Sequence, residues 1–148
     1  MGPFRHILVA TDFSEASRRA FESAGELAAA LGADLTVLHA CEVPVPPDAG
    51  LAVPPGVDLL SAAEAEARRR LDELVASATA RGWPCRAILR VGVPWQEILS
   101  VAAEALFDLV VMGTHGRRGI AHALMGSVAE KVVRASPVPV LTVRPAPP

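Results

Sequence analysis

Short apolar runs alternate with stretches whose apolar residues recur every three or four positions. His6 to Ala10 reads as a first strand. Ser14 stands where it can cap a following helix, whose apolar face is Ala20, Ala24, Leu27, Ala28 and Leu31. Gly32 suits the end of that helix, and Leu35 to Ala40 reads as the second strand. A second helix is expected from about Leu60 to Arg81, with Leu60, Ala63, Ala67, Leu71, Leu74 and Ala78 along one side. Cys85 to Val91, Pro94 to Leu106 and Asp108 to Met112 follow as strand, helix and strand. A last helix from Ser127 to about Ala135 leads through Pro137 into a strand at Val138 to Val143. Between Glu42 and Asp58, five prolines exclude a regular helix or central strand, so a long surface loop is expected there. Its length exceeds that of an ordinary connection, as in loops with a function of their own, such as covering a site.

This alternation implies an α/β fold: a doubly wound parallel sheet with helices on both faces and right-handed crossovers. Ligands in such sheets sit beyond the carboxyl ends of the strands, at the switch point. With the strand order 3-2-1-4-5, that point falls between the first and fourth strands. The loops beginning at Ala10-Thr11-Asp12 and at Gly113 to Gly116 would meet there. No linker or internal repeat divides the chain, so one domain over 1–144 with a tail at 145–148 is expected.

The candidate chemistry lies in Gly113-Thr114-His115-Gly116, nine further residues, then Gly126-Ser127. Glycines permit close backbone approach and positive φ, and a helix start offers unpaired N–H groups to an anion. Ser127 with Glu130 also spells a capping box, which needs no ligand. Other nucleotide motifs are absent. There is no G-x-x-x-x-G-K-[ST], and the first strand-to-helix turn carries no glycine fingerprint. There is also no G-x-S-x-G elbow, and the four histidines lack Cys/His metal spacing.

Composition narrows the partners. The formal charge is −2, and Lys131 is the only lysine. Acidic and basic residues are intermixed, which gives no support for a nucleic-acid surface. No apolar run reaches the ~18 residues of a membrane span, and no basic-then-apolar signal opens the sequence. With two cysteines outside any C-x-x-C, a cytoplasmic setting is expected. In this topology Cys41 ends one strand and Cys85 begins its neighbour, roughly 20 Å away, too far for a disulfide.

The glycine pattern, the opening Ile7 to Asp12, Gly92-x-Pro94 and the closing Pro137-Val138-Pro139-Val140-Leu141-Thr142-Val143 together resemble the universal stress protein family, ATP-binding type. The resemblance spans nearly the whole chain. It implies the 3-2-1-4-5 sheet, a homodimer joined through the last strand, Val138 to Val143, and a role in stress response. It also implies ATP, or AMP or ADP, with Mg²⁺ accompanying the nucleotide. By position, Asp12 would face the ribose or phosphates and the metal. Ala10 and Thr11 would line the base side, Ala40 would touch adenine through its backbone, and Met112 would lie near sugar and base. Gly113, His115 and Gly116 would wrap the phosphates, and Gly126, Ser127, Val128 and Ala129 would close over them. Two alternatives stay open at this point. One is slow ATP hydrolysis or self-phosphorylation using His115, Asp12, Ser127 or Thr114. The other is a nucleotide-free dimerisation module.

Overall fold

The computed structural model describes residues 4–43, 58–104, 106–115 and 125–146. The elements run β1 (His6–Ala10), α1 (Glu15–Leu31), β2 (Asp34–Cys41), α2 (Leu59–Ala80), β3 (Cys85–Val91), α3 (Pro94–Glu104), β4 (Leu109–Gly113), α4 (Ser127–Ala135) and β5 (Val140–Val143). The five strands form one sheet in the order β3-β2-β1-β4-β5. Every pairing is parallel, with Val9 opposite both Val37 and Val111. The fold class expected from the alternating pattern, and the strand order implied by the family resemblance, are those found.

Successive residues of β1 serve the two faces of the sheet, as the strand pleat requires. Ile7 and Val9 join Val37, Phe21, Leu71 and Trp83 in one buried cluster. Leu8 and Ala10 join Leu38, Ile98, Val110 and Val132 in the other. Burial on both faces explains why β1 and β4 are continuous apolar runs.

Helix α1 begins at Ser14, whose hydroxyl accepts the Ser17 N–H. It ends at Gly32, whose φ of 66° is left-handed. Its inner face is built of small residues, Ala20, Ala24, Gly25 and Ala28, so the helix lies close on its neighbours. Gly25 marks the limit. A Cβ there would stand 2.1–2.7 Å from three carbons of the buried Trp83 ring.

Several boundaries differ from expectation: β2 gains Asp34 and Cys41, α2 starts and ends one residue earlier, and β4 begins at Leu109 rather than Asp108. Helix α3 ends at Glu104 rather than Leu106. Strand β4 takes in Gly113, which pairs with Val143. Strand β5 begins at Val140, because Pro137 and Pro139 have no N–H to donate to a ladder. The Pro139 carbonyl still accepts the Val110 N–H, at 3.0 Å. The loop expected to cover a site, 42–58, falls outside the described residues from 44 to 57.

Both cysteines are free. Cys85 stands opposite Leu35 and Cys41 opposite Val91, at the two ends of the β2–β3 pairing. That separation of about 20 Å excludes a bond between them. Burial pushes the Cys85 thiol up to about 11. Cys41 is raised too, by burial first and then by Glu64 and Glu42. Neither is poised as a thiolate. Among the described residues, no helix is long and apolar enough to cross a membrane.

The Gly25–Trp83 contact generates a prediction. Gly25→Ala, otherwise a helix-favouring change, should destabilise the fold by about 3 kcal/mol through overpacking. Calorimetry should record this as a Tm lower by roughly 6–12 °C.

Candidate functional site

The chain leaves β1 toward β2 on one side and returns as β4 on the other, so the loops after β1 and β4 diverge and leave a gap. A cavity of about 420 Å³ fills that gap. Its lining includes Ala10, Thr11 and Asp12 after β1, Ala40 at the end of β2, and Met112, Gly113 and His115 after β4. Gly126, Ser127, Val128 and Ala129 close it at the start of α4. Of the residues singled out in the sequence, Gly116 alone lies outside the described residues.

The two halves of the glycine motif are tied by one bond. The Thr114 carbonyl accepts the Gly126 N–H at 2.6 Å, while the Thr114 N–H reaches the Val143 carbonyl at 3.0 Å. Thr114 is itself buried. This junction fixes where α4 starts. Gly126, with φ −68° and ψ 161°, is the N-cap, and it has no side chain with which to cap. Ser127 is therefore the first helical residue, and the expected Ser127–Glu130 capping box does not form. Glu130 pairs instead with Arg134, at 3.0 Å.

The chemical consequence is direct. The first bond of α4 runs from the Glu130 N–H to the Gly126 carbonyl. The N–H groups of Ser127, Val128 and Ala129 have no acceptor among the described residues. All three residues line the cavity. Uncapped amides at the positive end of a helix dipole form an anion site.

The glycines act differently from the expectation of positive φ. Gly113 lies outside the left-handed region. A Cβ there would stand 3.2 Å from the Ala16 carbonyl group on α1, so glycine lets α1 and β4 approach closely. Gly126 serves as an N-cap without a competing side chain.

The loop from Thr11 to Ser14 is folded on itself. Thr11 Oγ1 accepts the Phe13 N–H at 3.0 Å and lies 3.0 Å from Ser17 Oγ. Asp12 Oδ1 accepts the Ser14 N–H at 3.0 Å and the Ser14 hydroxyl as well. Phe13 has φ 63°, the only positive φ of a non-glycine among the described residues. For a bulky side chain this costs about 1–2 kcal/mol. The conformation is held from both flanks. The His39 ring lies 4.5 Å from the Phe13 ring, and the Arg70 guanidinium stands 5.4 Å from its centroid. His39 Nδ1 also meets the Thr11 carbonyl at 2.8 Å, so that nitrogen carries the proton.

The charge pattern fits an anion accompanied by a cation. Asp12 and Glu42 line the cavity, and its described lining includes neither lysine nor arginine. A carboxylate beside the anion-receiving amides opposes a bare phosphate but suits a metal-bound one. The described residues hold no group of three or more His, Cys, Asp or Glu able to bind a metal by themselves. Any Mg²⁺ at Asp12 would therefore take its remaining ligands from phosphate and water. A second groove, of about 480 Å³ between α1 and α2, has several arginines in its lining. Their charge is largely answered: Arg69 pairs with Glu66 and Glu73, and Arg81 with Glu22. Hydrogen bonds from Arg69 and Arg70 hold Glu66 down at about 2.

Ser17, Leu38, His39, Glu42 and Ile98 also line the cavity, and the sequence pattern did not mark them as cavity residues. The one available signal was positional. The start of α3 must pass over the end of β2, which places Pro94 and Ile98, one turn apart, on the cavity side.

An open parallel α/β sheet with an anion-receiving crevice at its switch point is the architecture that fold and site define. The model of the Universal stress protein family matches residues 3–144, and the chain belongs to that family. A universal stress protein of Thermus aquaticus is 40% identical over 145 residues, covering 95% of this chain and 99% of that protein. A family member of Burkholderia pseudomallei has a similar structure, with a TM-score of 0.76 and 32% identity, covering 99% of this chain and 100% of that one. A universal stress protein solved in complex with cAMP gives a TM-score of 0.71 at 30% identity, covering 98% of this chain and 100% of that one.

The bare N-cap yields a prediction. Gly126→Asp should supply the missing cap and a charge favourable to the dipole, adding about 0.5–1 kcal/mol. Thermal unfolding should then move up by roughly 1–4 °C.

Proposed function

We propose that the crevice binds ATP with Mg²⁺, and that the chain is a homodimeric, nucleotide-dependent regulatory module in the stress response. The observation that carries this reading is the row of three uncapped amides, at Ser127, Val128 and Ala129, opening into the switch-point cavity. Phosphate groups suit those amides, and Asp12 suits the metal. The residues after β1 and β2, Ala10, Thr11 and Ala40, would take the base, with Met112 beside the sugar. AMP or ADP would use the same base contacts with fewer phosphates. The family member that binds cAMP supports an adenine nucleotide as ligand.

The two groups nearest to serving as a base are held in place by neighbours. Asp12 Oδ1 is engaged by Ser14, and His115 Nδ1 lies 2.9 Å from Thr114 Oγ1.

For the homodimer, the support is β5. It is an edge strand, and its Leu141 is 41% exposed. An apolar edge of this kind is protected by pairing with a second copy.

Titration calorimetry should find saturable binding of MgATP, one per chain. Asp12→Ala should weaken it about tenfold, or ~1.4 kcal/mol. Absence of binding at millimolar MgATP would reject the nucleotide reading. Sedimentation should give a dimer for the native chain and a monomer for Leu141→Arg; an unchanged dimer would reject the β5 interface.

A further inference from the structure

His39 grips the chain on both sides of Asp12. Its Nδ1–H donates to the Thr11 carbonyl at 2.8 Å, and its ring lies 4.5 Å from that of Phe13. Phe13 is the residue with φ 63°, and Arg70 stands over its ring at 5.4 Å. The peptide between Thr11 and Phe13 therefore has little freedom, and it carries the carboxylate that faces the crevice. Backbone strain persists only where surrounding contacts over-determine it, and such strain gathers at ligand clamps. A glycine would adopt the same φ without strain. The aromatic ring in its place keeps the strained conformation and adds a face for His39 and Arg70 to hold.

We propose that His39 and Phe13 form a clamp that presets the Asp12 carboxylate for the metal-bound phosphate end of the nucleotide, which makes Phe13 a positioning residue. This rests on the nucleotide reading above. The clamp acts on the metal-dependent part of the affinity and leaves the contacts to base and sugar alone. Phe13 itself is absent from the lining of the crevice, so its effect must pass through Asp12.

The test compares ATP binding with Mg²⁺ and with EDTA. The native chain should bind ATP about tenfold more tightly with Mg²⁺. In Phe13→Gly that preference should collapse, while the EDTA affinity stays within about twofold of native. Phe13→Leu, which keeps apolar bulk without a ring face, should behave the same way and replaces the glycine variant if that one fails to fold. Phe13→Tyr should restore the preference. A glycine or leucine variant that keeps the full Mg²⁺ preference overturns the clamp. So does one that loses the EDTA affinity in equal measure, since its role is then only structural. A native chain that binds ATP under neither condition overturns the nucleotide reading, and the clamp with it.

Discussion

Everything at the carboxyl end of this sheet depends on β1 being paired in parallel on both edges. Val9 sits between Val37 and Val111, so the next residues, Ala10 to Asp12, must emerge between two neighbouring strands. The neighbours carry their chains away to opposite faces. No side chain has to be spent on opening the cavity, because chain direction alone opens it. The site is a by-product of the winding, and its chemistry is supplied by what borders the gap.

What borders it is mostly main chain. Amides of α4 stand on one side and a self-bonded loop on the other. A single contact, from the Gly126 N–H to the Thr114 carbonyl, ties the start of α4 to the end of β4. The arginine-rich groove between α1 and α2 makes an instructive contrast. It is comparable in volume, yet its guanidinium groups are largely satisfied by glutamates on the same helices. The amides of Ser127, Val128 and Ala129, by contrast, have no acceptor among the described residues.

Much of this could be read in the amino-acid sequence because it follows from local pattern. Alternating periods of two and 3.6 place the strands and helices, and the run Asp108 to Met112 announces a strand buried on both faces. The Ser14 cap and the Gly32 stop are local chemistry too. The errors came from contacts distant in sequence. Ser127 and Glu130 look like a capping box, but the N-cap is Gly126, whose amide is taken by the Thr114 carbonyl, so Ser127 is already inside the helix. The left-handed turn at Phe13 left no trace, since its causes are His39, on another strand, and Arg70, on another helix. The limit that Trp83 sets on Gly25 is equally invisible along the chain.

The two halves of the glycine motif are held in place by different forces. Gly113 is fixed by the closeness of α1 to β4, at the Ala16 carbonyl, whether or not anything is bound. Gly126 has backbone angles open to any residue. A lineage that ceased to bind a ligand would thus be free to fill the second position with a capping side chain. It would still inherit the first. Glycine at the end of the fourth strand would then be a matter of packing, and the residue capping the fourth helix is where a change of use would first be written.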